Sequence, residues 1–200
     1  IRPGAYEDEL AAKLTYLMNL GGSEGAPLPI FVSGKKSSMP HGRPSHKAIE
    51  PGDFVTIDMG AVVNGYMSDM TRTFAVGHAT DEMRAVYETV LEAQAAGLAA
   101  FAEGMRGCDV DKAARDVIEA AGYGAYFGHG LGHSLGLNIH EDPRASRTYT
   151  GTFPARSIVT IEPGIYLPGR FGVRIEDMVW LAPDGKENLT HFPKELTVLG

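Results

Sequence analysis

Three histidines, His129, His133 and His140, fall within the stretch "FGHGLGHSLGLNIHEDP" (127–143) of a chain that has seven. His129 and His133 stand four residues apart, a spacing that puts two imidazoles on one helix face and marks many metal sites. The helical explanation fails here. Gly128, Gly130, Gly132 and Gly136 interrupt the segment, and each would cost roughly 1 kcal/mol in a helix interior. The segment is predicted to be extended or looped, with glycines that let backbone approach a small, crowded site.

Four carboxylates belong with these histidines. Asp58 follows Val55-Thr56-Ile57, which places it inside a strand, where a carboxylate is costly unless paired or bound to a cation. Asp69 in "YMSDMTRTFAV", Glu162 in "IVTIEPGIY" and Glu176 in "GVRIEDMVW" are read the same way. Any one of them could end a strand or pair with Arg72 or Arg174. All four, beside the histidine cluster, would need four independent coincidences. An internal echo links them: "FVTIDMGA" (54–61) and "IVTIEPGI" (158–165) match, with Asp58 and Glu162 at equivalent places 104 positions apart. Each echo is followed by a turn and a second strand-like run carrying another acid, Asp69 or Glu176. Two half-units, each presenting two carboxylates from a hairpin, would face four acids into one cleft.

Four carboxylates and an imidazole suit two divalent cations. Cys108 is the only cysteine, so a thiolate zinc site is excluded. Two cations about 3.5 Å apart can activate a bridging water and polarise a carbonyl. The remaining histidines become candidates for proton transfer or for stabilising a tetrahedral intermediate.

The elements that position these groups follow from periodicity and punctuation. Residues 5–20 carry Leu10, Leu14 and Leu17 at helical spacing, with acids first and Gly21-Gly22 after. A short strand is expected at 30–33, then a polar loop with Pro40 and Pro44. Residues 53–76 read as β, centred on Asn64-Gly65, the strongest short hairpin signal. Thr80 opens a helix to about Glu103, and a second helix runs from Asp109 to Ala121, stopped by Gly122. Residues 142–157 read as a Pro/Ser/Thr/Gly loop, and 157–183 as another hairpin.

A net charge of −7 argues against nucleic acid or an anionic membrane as partner. No apolar run reaches the 18 residues that mark a transmembrane helix. The lone cysteine rules out an internal disulfide framework and fits the reducing cytoplasm. The 200 residues suit one domain. The start, Ile1-Arg2-Pro3-Gly4, has neither a signal pattern nor a Met, and the chain is expected to be a piece of a longer protein.

Five motifs occur in order: "PHGRPS" (40–45), "TIDMGAVVNGYMSDMTRTF" (56–74), "GHGLGHSLGLNIHEDP" (128–143), "TIEPGIY" (160–166) and "GVRIED" (172–177). On these the chain, over roughly residues 3–199, resembles the catalytic domain of the creatinase/aminopeptidase family, in its Xaa-Pro aminopeptidase and Xaa-Pro dipeptidase (prolidase) branch. The resemblance implies an α+β pita-bread fold: two pseudo-symmetric halves with a curved antiparallel sheet covered by helices on its outer face. Residues 1–200 would be a single dimetal peptidase domain, with the usual N-terminal domain absent.

The resemblance also implies roles. Asp58, Asp69, His133, Glu162 and Glu176 match five metal ligands: Asp58 on one ion, His133 and Glu162 on the other, Asp69 and Glu176 bridging. A metal-bridging hydroxide would attack the scissile carbonyl, with Glu162 also the proton shuttle. His41, His129 and His140 match substrate-facing histidines. Arg174, Thr71 and Thr160 would orient the ligand carboxylates. The implied ions are Mn²⁺, with Co²⁺, Fe²⁺ or Zn²⁺ as alternatives. The implied partner is a peptide with proline in second position, and a homodimer is an open expectation. Methionine aminopeptidases place the last glutamate in a Gln-Phe-Glu-His context; here it is Arg174-Ile175-Glu176-Asp177, as in the proline-specific branch. A methionine aminopeptidase, a non-catalytic binding module of the same fold and a creatinase-like amidinohydrolase remain alternatives.

Overall fold

The computed structural model describes residues 1–25 and 28–200. Helix α1 (Glu7–Leu20) is followed by strands β1 (Ile30–Ser33), β2 (Phe54–Met59), β3 (Val62–Val63), β4 (Tyr66–Met67) and β5 (Met70–Val76). Helices α2 (Asp81–Ala100) and α3 (Gly107–Ala120) come next. Strands β6 (Gly132–Ser134), β7 (Glu141–Ala145), β8 (Ile158–Ile161), β9 (Gly164–Leu167) and β10 (Phe171–Arg174) precede β11 (Asp177–Ala182), β12 (Gly185–Asn188) and β13 (Val198–Leu199). The fold is therefore mixed α and β. Among the described residues no helix is long and apolar enough to cross a membrane.

Two sheets, ordered β1-β2-β5-β13 and β12-β11-β8-β6-β7, carry the architecture. Their pairings are antiparallel except for β13, which runs parallel to β5. Each half contains a nested hairpin. The β2–β5 pair carries the small β3–β4 ribbon at its tip. The β8–β11 pair encloses the β9–β10 ribbon, so the single hairpin expected over 157–183 is two, one inside the other. The turn Asn64-Gly65 has φ of 51° and 78°, the left-handed pair that a tight two-residue hairpin turn needs.

The internal repeat is longer than the sequence echo. Gly4 N–H donates to the Ile49 carbonyl and Ile49 N–H returns to Ala5, at 2.9 and 2.8 Å. Gly104, Phe153 and Met105 repeat that exchange at 2.9 and 3.0 Å. Tyr6 bridges Ala48 just before α1, and Arg106 bridges Thr152 just before α3. The bridge holds Tyr6 in extended backbone as the N-cap, which is why α1 starts at Glu7 and not at residue 5.

Helix α2 buries Met83, Val86, Tyr87, Val90, Ala93, Gln94 and Gly97, a helical stripe that faces the sheet core. Thr80 Oγ1 caps it by accepting from Met83 N–H at 3.2 Å. It ends at Ala100, short of the expected Glu103. Phe101 is fully buried and packs edge-on against Phe153, centroids 4.9 Å apart, which draws the chain out of the helix. Lys186 Nζ binds the freed carbonyls of Leu98, Ala99 and Phe101. Helix α3 starts at Gly107, two residues before the expected Asp109. A second, smaller core of Ala11, Phe31, Ile49, Val55, Ile57 and Val76 lies under α1.

The loop expected over 142–157 is partly strand. Residues of β7 pair with β6, His133 opposite Arg144. Strand β7 lies at the sheet edge, where Pro143 can sit without breaking a central ladder. The histidine segment is extended and looped as expected, with the short β6 in it and the first residues of β7 at its end.

Candidate active site

The two nested hairpins bring the four acids together, and β6, paired with β8, adds His133. Only Asp58 lies inside a strand, in β2. Asp69 immediately precedes β5, Glu162 immediately follows β8, and Glu176 separates β10 from β11. The expectation that all four sit inside strands is thus corrected. Pro163 after Glu162 has no N–H for a ladder, and Glu162 N–H bonds instead to the Leu131 carbonyl at 2.8 Å. Glu176 N–H reaches across to the Thr71 carbonyl at 3.1 Å, stitching one half to the other at the acids themselves.

Asp69, His133 and Glu176 each offer a donor atom, all within 4.8 Å of one another. His133 Nε2 is 3.3 Å from Glu162 Oε1 and 3.8 Å from Asp69 Oδ2. Asp58 Oδ2 accepts from Arg174 Nη2 at 2.7 Å. Thr71 Oγ1 donates to Glu176 Oε2 at 2.6 Å and accepts from Arg174 Nε at 3.0 Å. Thr160 Oγ1 donates to Glu162 Oε1 at 3.1 Å. Arg174 and both threonines therefore hold three of the four carboxylates.

Electrostatics mark the cluster as short of positive charge. Burial and the neighbouring Asp58 and Glu162 push the Asp69 carboxyl up to about 8. Burial and the charges of Asp69, Glu162 and Asp58 push Glu176 well above the usual carboxylate range. Burial would raise Glu162 too, but His133 and His129 outweigh it and hold Glu162 low. Burial lowers His133, and Glu162 more than compensates, so that imidazole is raised. Among the described residues, Glu176 Oε1 is the one buried side-chain oxygen without a hydrogen-bond partner. A buried carboxylate oxygen with no donor is costly, and a cation would satisfy it. The donors present fit divalent metal ions.

Above the cluster lies a cavity of about 500 Å³ lined by Asp58, Asp69, His133, Glu162 and Arg174, with His41, His129 and His140. Glu176 lies beneath it, 1% exposed. The His140 ring stands edge-on to His133, centroids 4.5 Å apart; burial and the His133 charge lower its pKa, favouring the neutral ring. His41 is exposed at the rim. His129 is engaged at both nitrogens, Nδ1 to the Gly130 carbonyl at 2.8 Å and Nε2 to Tyr166 Oη at 2.9 Å. Arg174 Nη1 donates to the same Tyr166 oxygen at 2.8 Å. The tyrosine hydroxyl therefore donates to Nε2, and the proton of a neutral His129 lies on Nδ1. Burial, the strongest influence on that ring, lowers its pKa.

Two residues were not singled out from sequence. Tyr166 lies in the quoted motif "TIEPGIY", but a tyrosine in a strand most often just packs. Arg144 lines the cavity, half-exposed, with Nε 3.1 Å from Asp142 Oδ1; the sequence signal available was a cation directly after the "HEDP" acids.

The glycines have a specific reason here. A Cβ on Gly132 would lie 1.8 Å from the Thr160 carbonyl oxygen. Strands β6 and β8 can approach closely enough to set His133 against Glu162 only with glycine at that position. Gly132→Ala is expected to part the two strands. It should cost at least the roughly 1–3 kcal/mol typical of overpacking, read as a lower melting temperature, and weaken divalent-cation binding in a calorimetric titration.

The sequence pattern of metallopeptidase family M24 matches residues 1–183. The chain is 46% identical, over 98% of its length and 57% of the relative's, to the Xaa-Pro dipeptidase of Pyrococcus furiosus. It is similar to the structure of an Xaa-Pro dipeptidase from Bacillus anthracis, with a TM-score of 0.96 and 45% identity, covering 100% of this chain and 56% of that one. It matches an X-Pro aminopeptidase from Thermotoga maritima at a TM-score of 0.96 and 43% identity, covering 100% and 57%. The chain thus spans a little over half the length of these relatives, and it belongs to metallopeptidase family M24.

Proposed function

We propose that residues 1–200 form one dinuclear catalytic domain that hydrolyses the Xaa-Pro bond, at the N-terminus of peptides or in dipeptides. The observation that carries the proposal is the convergence of Asp69, His133 and Glu176, with donor atoms within 4.8 Å of one another, under a cavity also lined by Asp58 and Glu162. The family and the Xaa-Pro dipeptidases to which the chain is similar supply the substrate class. We read the two nested hairpins as the pseudo-symmetric halves of a pita-bread fold with its curved sheet beneath outer helices. Cys108, a free thiol, supports a cytoplasmic setting.

Asp58 would hold one cation, His133 and Glu162 the other, with Asp69 and Glu176 shared. An oxygen-rich set with one imidazole favours Mn²⁺, with Co²⁺, Fe²⁺ and Zn²⁺ as competitors. When bound, the cations polarise the scissile carbonyl and make a water nucleophilic. The protein's side chains do the rest. Glu162, held ionised, accepts the proton of the attacking water and delivers it to the departing proline nitrogen. Neutral His140, beside the cluster, donates an N–H to the carbonyl oxygen as negative charge develops there. His41, on the wall of the same cavity, takes the same role. His129, with both nitrogens occupied, acts through Tyr166 and Arg174 to steady Asp58. The proline amide offers no N–H, so a site that leans on the carbonyl and the ring suits it.

Arg144 favours the dipeptidase arm. A half-exposed guanidinium on the cavity wall is placed to meet a free C-terminal carboxylate, which Ala-Pro presents next to the scissile bond and longer peptides do not. Arg144→Met is expected to raise KM for Ala-Pro by about tenfold to a hundredfold, the worth of one charge-assisted hydrogen bond, and to leave kcat nearly unchanged.

The testing experiment is turnover of Ala-Pro, Ala-Pro-Ala and Met-Ala-Ser by the Mn²⁺-loaded protein. Cleavage of either proline peptide supports the proposal. Cleavage of Met-Ala-Ser alone would make it a methionine aminopeptidase, and absence of both metal and turnover would make it a binding module.

A further inference from the structure

We infer that Arg72 and Asp177 are positioning residues for the site, a buried joint that fixes Glu176 and Thr71 and fastens residues 192–194 of the C-terminal tail against them. The inference rests on the reading of Glu176 as a cation ligand.

Arg72 is 2% exposed, and all five N–H donors of its guanidinium find an acceptor. Nε donates to the Pro193 carbonyl at 3.0 Å, and Nη1 to the carbonyls of Thr71 and Glu176 at 2.9 and 2.6 Å. Nη2 donates to Asp177 Oδ1 and to the Phe192 carbonyl, both at 2.7 Å. The other Asp177 oxygen accepts from Gln94 Nε2, Asn188 Nδ2 and Lys194 Nζ at 2.9, 2.8 and 2.8 Å. The buried pair is therefore fully satisfied, which is the condition under which such a pair persists.

Its placement gives it more than a packing role. Two of the five Arg72 bonds end on the main chain of Thr71 and Glu176. The Thr71 hydroxyl in turn donates to Glu176 Oε2 and accepts from Arg174 Nε, and Arg174 holds Asp58. Arg72 thus sets the height of Glu176 from its carbonyl side while Thr71 sets its carboxylate. This happens at the point where β5 of one half meets the β10–β11 corner of the other. A lysine keeps the charge but has neither the fork nor enough directed donors to hold two carbonyls and a carboxylate at once.

The test compares the wild-type chain with Arg72→Lys, Asp177→Asn and Lys194→Met. Each is checked for folding by circular dichroism, titrated with Mn²⁺ by calorimetry, and assayed on Ala-Pro. Loss of an outer partner typically lowers metal affinity or activity by 10–100-fold. Folded Arg72→Lys and Asp177→Asn are expected to lose Mn²⁺ affinity on that scale. At saturating Mn²⁺ they should keep the wild-type KM with a reduced kcat. Lys194→Met, which removes one of three donors to the far oxygen, should shift affinity by only a few-fold. A folded Arg72→Lys or Asp177→Asn with wild-type Mn²⁺ affinity and kcat would overturn the inference. So would failure of both to fold, which would make the pair a folding element. A wild-type protein that binds no Mn²⁺ would instead sink the proposed function, and the two failures are told apart by that first titration.

Discussion

Glu162→Ala is expected to abolish hydrolysis and to lower bound metal together. Glu162 Oε1 sits 3.3 Å from His133 Nε2 and accepts from Thr160 Oγ1, so the side chain is held in the cluster and its charge offsets a neighbouring imidazole. Alanine removes a cation ligand and a carboxylate that His133 and His129 help to hold ionised. One general base contributes up to about 10⁴-fold, and metal loss adds to that. The check is metal content by elemental analysis beside Ala-Pro turnover. A variant with full metal and more than a tenth of wild-type kcat would remove Glu162 from both roles.

His140→Ala separates chemistry from metal binding. Its ring lines the cavity edge-on to His133, outside the trio of grouped donor atoms. The variant is expected to keep its metal and lose on the order of 10²-fold in kcat, the scale of one oxyanion-stabilising donor. His133→Ala should do the reverse and lose metal. If His140→Ala lost metal while His133→Ala kept it, the ligand and the substrate-facing histidine would be exchanged.

Much of this site was legible because its residues violate local rules. Asp58 in a β-branched run and three histidines among glycines are each awkward in isolation, and a shared site relieves them all. The echo between residues 54–61 and 158–165 correctly pointed to paired hairpins. The sequence could not show that the repeat extends back through α1 and α3, because those stretches share backbone hydrogen bonds and not side chains. Strand β7 was missed since Pro143 argues against a strand unless the strand is an edge, and edges are a property of the sheet. The end of α2 was misplaced because Phe101 leaves the helix for a tertiary contact with Phe153, which no local propensity encodes. Tyr166 and Asp177 were invisible for a related reason, and Arg72, read from sequence only as a possible partner of the four acids, pairs with Asp177 instead. Their partners lie across the chain, from 37 residues away in the case of His129 to 105 for the Arg72–Asp177 pair.

Two cations are expected among Asp58, Asp69, His133, Glu162 and Glu176. Anomalous scattering from crystals grown with Mn²⁺ tests it most directly. Two peaks are expected about 3.5 Å apart, enclosed by those five side chains, with Glu176 Oε1 no longer without a partner. No peak in the cluster, or peaks only elsewhere on the protein, would contradict it.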